Sequence, residues 1–330
     1  MKKLICILLS ALMLLSAAAF VSCDKAPEAE PTLKLGLGVY TAVTEAKSAD
    51  GDANGQGKAA VTVAAITVDA DGKVVACQLD TADNTVKYTS EGKALAETSF
   101  KTKYELGYSY NMVVFGGAAK EWCEQADAFE TVVIGKTLDE IKALVAAGDK
   151  GTDEVISAGC TIMVSEFVKA IEKAFANLTD SKATASSALK LGIHTEQSTK
   201  DATEDAEGYN QLETTIFAAA VDAEGKVLSA ASDCVQIKFT FDSMGVSSYD
   251  VTKAVASKRE QGANYGMVNY GNAAKEWFEQ ADAFNSLCVG KTAAEITALC
   301  ASDNYGTDEV KAAGCTILVN GLAKAAAKIA

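Results

Sequence analysis

The chain says nearly everything twice. Residues 116–129 read GGAAKEWCEQADAF and residues 271–284 read GNAAKEWFEQADAF, differing only at Gly117/Asn272 and Cys123/Phe278. A second pair follows in register, GTDEVISAGCTIMV over 151–164 and GTDEVKAAGCTILV over 306–319. Trp122 to Trp277 and Thr161 to Thr316 are both steps of 155 residues, so the copies run colinear between these landmarks. Solenoid and propeller repeats are roughly 20–50 residues long and share one core among several copies. A step this long is instead a whole folding unit made twice, which predicts two tandem domains with two similar sites. Each copy is long enough to bury a core of its own.

Copy one opens near Leu33-Lys34-Leu35-Gly36 and covers residues 33–178. Copy two repeats that tetrad at Leu189-Lys190-Leu191-Gly192 and covers 189–330, with a linker over 179–188 in a stretch rich in Ser, Thr and Ala. In copy one a strand-like segment, Gly38 to Val43, leads through a polar loop into an apolar run from Ala59 to Val68, then Asp69-Ala70-Asp71-Gly72 and a second β-rich run from Lys73 to Leu79. Asp-Gly between two such runs signals a hairpin, because the glycine supplies the positive φ of the tight turn. Copy two has Glu224-Gly225 there and continues into Val235, Ile237, Phe239 and Phe241, a period-two strand. The carboxyl half of each copy reads as helix. Ala119, Trp122, Cys123, Ala126 and Phe129 form one apolar stripe, and Thr137/Glu140 and Thr292/Glu295 fit capping boxes that start short helices. A last helix is expected from about Val164 to Ala174. The fold class is therefore α+β, an antiparallel β-sheet with packed helices, in two tandem copies.

The amino terminus addresses the compartment. Lys2 and Lys3 precede an apolar run from Leu4 to Val21, followed by Ser22-Cys23-Asp24, which reads as a signal peptide over residues 1–22. It resembles a bacterial lipoprotein signal, and that resemblance implies cleavage after Ser22 and lipidation of Cys23; the run is also close to the ~20 residues of a membrane span, the competing reading. Residues 23–32 then form a tether that carries both prolines of the chain, Pro27 and Pro31. The expected location is the cell envelope, membrane-anchored and facing outside the cytoplasm. The net charge of −14 falls further when Lys2 and Lys3 leave, so a phosphate backbone is repelled and nucleic acid is not an expected partner. Cys123, Cys288 and Cys300 face Phe278, Val133 and Val145 in the other copy and behave as small hydrophobes; only Cys160 and Cys315 recur.

Several motifs fail on inspection. Gly135-Lys136-Thr137 ends like a phosphate loop but has Glu130 where the earlier glycine should stand. Asp69 and Asp71 lack the remaining EF-hand ligands. His194 is the only histidine, and Tyr40 stands near the matching place, so no histidine site is common to both copies. What remains is the segment Ala158-Gly159-Cys160-Thr161-Ile162 and its counterpart Ala313-Gly314-Cys315-Thr316-Ile317, each just before a predicted helix. Two readings stay open. The turn can offer free N–H groups to an anion, phosphate first, with the threonine hydroxyl close by; or Thr161 and Thr316 are plain N-caps.

The order of features, from the opening strand through the "DGK" hairpin to a small-residue threonine motif before a last amphipathic helix, resembles the FMN-binding domain family of bacterial envelope lipoproteins. That family's motif is Asp-x-x-Ser-Gly-Ala-Thr, with FMN carried on the threonine through a phosphoester in its flavinylated members. Gly159 and Thr161 match it, whereas Val155, Ala158 and Met163 stand where the family has Asp, Ser and a second hydroxyl. The resemblance implies an FMN site at Gly159, Cys160, Thr161, Gly314, Cys315 and Thr316, bound covalently or not, and electron transfer to a redox partner rather than turnover of a substrate. From a different class comes the alternative of a noncatalytic surface lipoprotein that binds a ligand or protein partner.

Overall fold

A computed structural model describes residues 30–330; the leader, the lipidation candidate Cys23 and most of the tether lie outside the described residues. The fold is α+β. Strands β1 (Lys34–Lys47), β2 (Gly55–Val68), β3 (Val74–Tyr88), β4 (Ala94–Leu95) and β5 (Thr179–Asp180) form an antiparallel sheet in the order β4-β3-β2-β1-β5. A second antiparallel sheet, β6-β7-β8, is made by β6 (Ala188–Lys200), β7 (Gly208–Val221) and β8 (Val227–Phe241). Asp69 builds the first hairpin turn by accepting the Asp71 and Lys73 N–H groups on its side chain, with Gly72 at φ +76°, and Asp222 and Gly225 repeat the device.

The central strand of each sheet is buried on both faces, which is why it reads as a continuous apolar run instead of an alternation. Along β2, Ala64, Ile66 and Val68 face the helices, while Ala59, Val61, Val63 and Ala65 face the other way. Copy one's outer face is covered by α3 (Trp122–Val133) and α6 (Ser165–Ala176), and copy two's by α8 (Trp277–Cys288) and α11 (Asn320–Ala327). Helix α6 lies so close to β1 that a Cβ on Gly38 would fall 2.0 Å from the Ala170 carbonyl oxygen; Gly192 meets Ala325 in the same way. Gly38 and Gly192 are thus the true counterparts, so Leu35-Gly36-Leu37-Gly38 matches Leu189-Lys190-Leu191-Gly192. The sequence tetrad at Leu33 is out of structural register by two residues, and Tyr40 is the counterpart of His194.

The inner faces of the two sheets pack on each other. Leu37, Val61, Val63 and Val86 from copy one share a core with Ile193, Leu212, Ile237 and Phe239 from copy two. The result is four layers, helices outside and two sheets inside, with the copies related by a pseudo-twofold axis. Tyr88 and Phe241, equivalent residues, stack with centroids 4.2 Å apart and planes 8° from parallel. Ala49 N–H donates to Gly245 O and, reciprocally, Ala202 N–H donates to Gly92 O, both at 2.8 Å. Lys173 pairs with Glu260, and its counterpart Lys328 pairs with Glu105. This is the self-complementary geometry of a twofold dimer interface, here within one chain. The linker is docked as well: β5 pairs with β1, and Ser181 Oγ donates to Leu33 O.

Pro31–Ala330 accordingly forms one compact body. Phe241→Ala removes a fully buried ring from the twofold contact and should cost about 3–5 kcal/mol. Denaturant unfolding followed by fluorescence and circular dichroism should show both copies lost in one transition at a lower midpoint; two separated transitions would show that the copies do not depend on the shared core.

Candidate functional site

The two repeated motifs are bolted to each other within each copy. Glu121, buried, accepts the Met112 and Val113 N–H groups at 2.8 and 3.1 Å and shares a capping box with Glu124, so it fixes both the start of α3 and the loop before it. Glu276 does the same with Met267 and Val268 at 2.9 and 3.1 Å. One turn on, the buried Gln125 accepts from Thr161 twice on Oε1, from the backbone N–H at 2.8 Å and from the hydroxyl at 2.9 Å, while its Nε2 donates to Lys120 O. Gln280, Thr316 and Lys275 reproduce these bonds. The Lys120 ammonium fills the space a Cβ on Gly159 would need, and Lys275 does so at Gly314. Trp122 and Trp277 are buried in the core.

The AGCT segment is differently built from either reading of the sequence. It terminates α5 (Asp153–Ala158) and α10 (Asp308–Ala312) rather than opening the last helix: Gly159 and Gly314 are left-handed, at φ +107° and +95°. The Gly159 and Cys160 N–H groups donate back to Ile156 O and Val155 O, and that of Thr161 goes to Gln125, so these three amides are used within the protein. The last helices begin at Ser165 and Asn320, capped at Val164 and Val319 without a side-chain bond, so Thr161 and Thr316 are not N-caps. Cys160 and Cys315 are buried, and burial pushes both thiols up to about 11. Thr161 and Thr316 remain exposed at their side chains.

Around Thr161 a cleft of about 620 Å³ opens on the helix-covered face of copy one. Lys58, Lys103, Lys150 and Lys169 line it together with the carboxylates of Asp83, Asp149 and Glu166, with Trp122, Met112, Ile162 and Phe167 as apolar wall and the hydroxyls of Thr62 and Thr81 on its floor, where Thr62 donates to Glu166 at 3.4 Å. Lys103 reaches Asp83 at 3.5 Å, and Lys169 sits over the Tyr40 ring at 4.6 Å, donating to its hydroxyl. Lys58 and Lys150 have no carboxylate partner among the described residues. Copy two keeps Thr316 and Trp277 but has Gln211 and Tyr305 in place of Lys58 and Lys150. Its two retained lysines are paired: Lys258 with Glu213 at 3.0 Å and Lys324 with Glu196. The hydrogen bond from His194, then Lys324, holds the Glu196 carboxyl down at about 2. The lysines and Gln125 escape notice in the sequence because no motif contains them together; the one available signal for Gln125 is a polar residue kept in both copies on the buried stripe of α3.

A second difference lies where α3 meets β3. Glu130 of copy one is pushed up to about 8 by burial, with Asp127 and Asp80 nearby adding to the shift against the Leu79 N–H that it accepts at 2.6 Å. Copy two has Asn285 at that position, and Arg259 replaces Tyr104 and pairs with Asp282 at 2.7 Å. Because the folded-state value of Glu130 is raised, its protonated form contributes stability that is full below about pH 4.5 and lost as pH rises towards 8. Urea midpoints should therefore fall between pH 5 and 8.5, and Glu130→Gln should flatten that fall; an unchanged slope would show that Glu130 is solvated. Replacing Gln125 by Leu strands the Thr161 amide and should cost about 1–3 kcal/mol, read as a lower thermal midpoint. No protein-family model, no curated protein and no solved structure matches this chain.

Proposed function

We propose that this is a lipid-anchored protein of the cell envelope, held to the membrane through Cys23 and facing outside the cytoplasm, whose first copy binds FMN and passes electrons to a redox partner. One observation carries the reading: the copy-one cleft gathers four lysines against three carboxylates, two of the lysines, Lys58 and Lys150, outside any ion pair among the described residues, with an apolar wall and the Thr161 hydroxyl in the same enclosure. Its volume falls in the range of small-molecule sites, about 300–1,000 Å³. The residues fit the group. Lys58 and Lys150 can meet a phosphate, Met112, Ile162 and Phe167 can flank a ring, and Gly159 leaves room for Lys120 beside Thr161. A bound flavin would supply the redox chemistry.

At Thr161 both modes of attachment are accessible. A phosphoester would replace the hydroxyl proton and surrender the side-chain bond to Gln125, while the backbone bond would stay; a noncovalent phosphate would leave both. Cys160 and Cys315, buried, serve as packing beneath the turn, and Gly314 and Thr316 hold the same geometry in copy two. A second reading, a noncatalytic surface lipoprotein that binds a protein partner, is favoured by Phe115, in the short helix Met112–Gly116, and Tyr270, in the corresponding turn of copy two, which are 85% and 88% exposed.

Protein produced in a host with a flavin transferase should be yellow, and fluorescence retained through denaturing electrophoresis would mark the covalent form. Thr161→Ala should then lose most of that flavin while Thr316→Ala keeps it. A colourless wild type that also fails to quench added FMN would remove the flavin reading and leave the surface-binding one. Cys23→Ala should leave the membrane fraction; unchanged fractionation would end the lipid-anchor proposal.

A further inference from the structure

The two copies differ at a pair of facing positions in a way that bears on what the copy-one cleft can hold. Ala42 and Ala60 oppose each other across β1 and β2, and their counterparts Glu196 and Glu213 oppose each other across β6 and β7. Directly opposed residues on antiparallel strands have Cβ atoms about 4.5–5.5 Å apart, and like charges there are destabilising. Copy two tolerates the pair because each carboxylate meets a lysine that copy one also has: Glu213 with Lys258, the counterpart of Lys103, and Glu196 with Lys324, the counterpart of Lys169. Copy one keeps both cations and presents methyl groups where those carboxylates stand; its own cleft carboxylate, Glu166, stands where copy two has Gly321 and takes the Thr62 hydroxyl at 3.4 Å. Its lysines take substitutes, Asp83 at 3.5 Å for Lys103 and the Tyr40 hydroxyl at 3.3 Å for Lys169.

We infer that Glu196 and Glu213 occupy in copy two the place that the negative groups of a ligand take in copy one. The cleft therefore accepts a compact dianion, a phosphate monoester or diphosphate, over Ala60 between Lys103 and Lys169. There is one such site per chain, since copy two closes its own. This rests on the reading that copy one holds a ligand cleft, and deepens it by fixing the anionic end of the ligand and the stoichiometry. It does not depend on a flavin ring.

The test is calorimetric titration of the mature full-length chain with inorganic pyrophosphate and, separately, with FMN. Wild type should bind pyrophosphate with a stoichiometry of one. Ala60→Glu, which installs the copy-two carboxylate, should weaken binding about ten-fold or more, an effect worth about 1.4 kcal/mol; should that variant fail to fold, Lys103→Gln with Lys169→Gln gives the same readout. The reciprocal pair Glu196→Ala and Glu213→Ala should raise the stoichiometry to two, and added pyrophosphate should raise its thermal midpoint more than that of wild type, because the anion returns a partner to the buried Lys258. Two sites in wild type, no binding of pyrophosphate, wild-type affinity in Ala60→Glu, or a folded double glutamate variant without a second site would each overturn the inference. Pyrophosphate binding with this pattern but no binding of FMN would leave it standing and remove the flavin reading.

Discussion

The contact of sheet on sheet is what the rest of the molecule depends on. Each central strand has an apolar face that its own helices do not reach, and the same face of the other copy covers it, with Phe100 and Tyr249 closing its margins. A three-stranded core sheet left open on that side would expose Leu212, Ile237 and Phe239, residues buried almost completely in the chain as it folds. The twofold arrangement satisfies both copies with one set of contacts, so the hairpin ends interlock reciprocally and the ion pairs of Lys173 and Lys328 come in a matched pair. Tandem duplication supplies both halves of an interface at a high local concentration, which removes the association entropy that two separate chains would lose.

That shared frame explains why the repeated motifs are nearly identical while the surfaces beside them are not. Nearly every retained residue in AAKEWxEQADAF has a structural duty: Lys120 at Gly159, Glu121 on the preceding loop, Trp122 and Phe129 in the core, Gln125 on Thr161. Losing any one would strand a buried amide or open a cavity, costs of about 1–5 kcal/mol against a net stability of about 5–15 kcal/mol. Positions that face the clefts carry no such duty, and there the copies diverge: Ala60 against Glu213, Lys58 against Gln211, Lys150 against Tyr305.

Much of the fold was legible because it is local chemistry. Asp69 and Gly72 announce a turn, Thr137 and Glu140 a helix start, and Val235 to Phe241 a strand, and each of these is built as the residue types require. The register of the first strand was not legible, since the tetrad at Leu33 mimics the one at Leu189 while the glycine that admits α6 is Gly38. The inner sheet face was not legible either: Val61 and Val63 read as apolar without saying that the partner surface is the other copy. The AGCT turn was placed against the wrong end of a helix for a physical reason. Small residues and a left-handed glycine terminate a helix as readily as they precede one, and the three residues between Thr161 and Ser165 carry no pattern that distinguishes the two.

The candidate site was the least legible part, because it is defined by what is unpaired. In an acidic chain a lysine is ordinarily spent on a neighbouring carboxylate, and the sequence cannot say which lysines are not. The strand register can: Ala42 and Ala60 stand opposite one another where copy two has two glutamates, and the two cations meet Asp83 at 3.5 Å and the Tyr40 hydroxyl at 3.3 Å instead. Lys258 shows what the same cation does when given a carboxylate, sinking to near-complete burial over the Trp277 and Tyr265 rings. Lys103 over Trp122 and Tyr110 is the same arrangement with the strand-two carboxylate replaced by the longer contact to Asp83 and the cleft left open. With Asp83 at 3.5 Å as its one ion-pair partner among the described residues, Lys103 keeps N–H groups turned to the cleft in this reading, and an anion entering from solvent would be attracted through a low-dielectric wall more strongly than by the same charge on an exposed surface. The duplicated copy thus serves as an internal reference state, in which the protein has filled with its own side chains the charge pattern that the first copy leaves for a ligand.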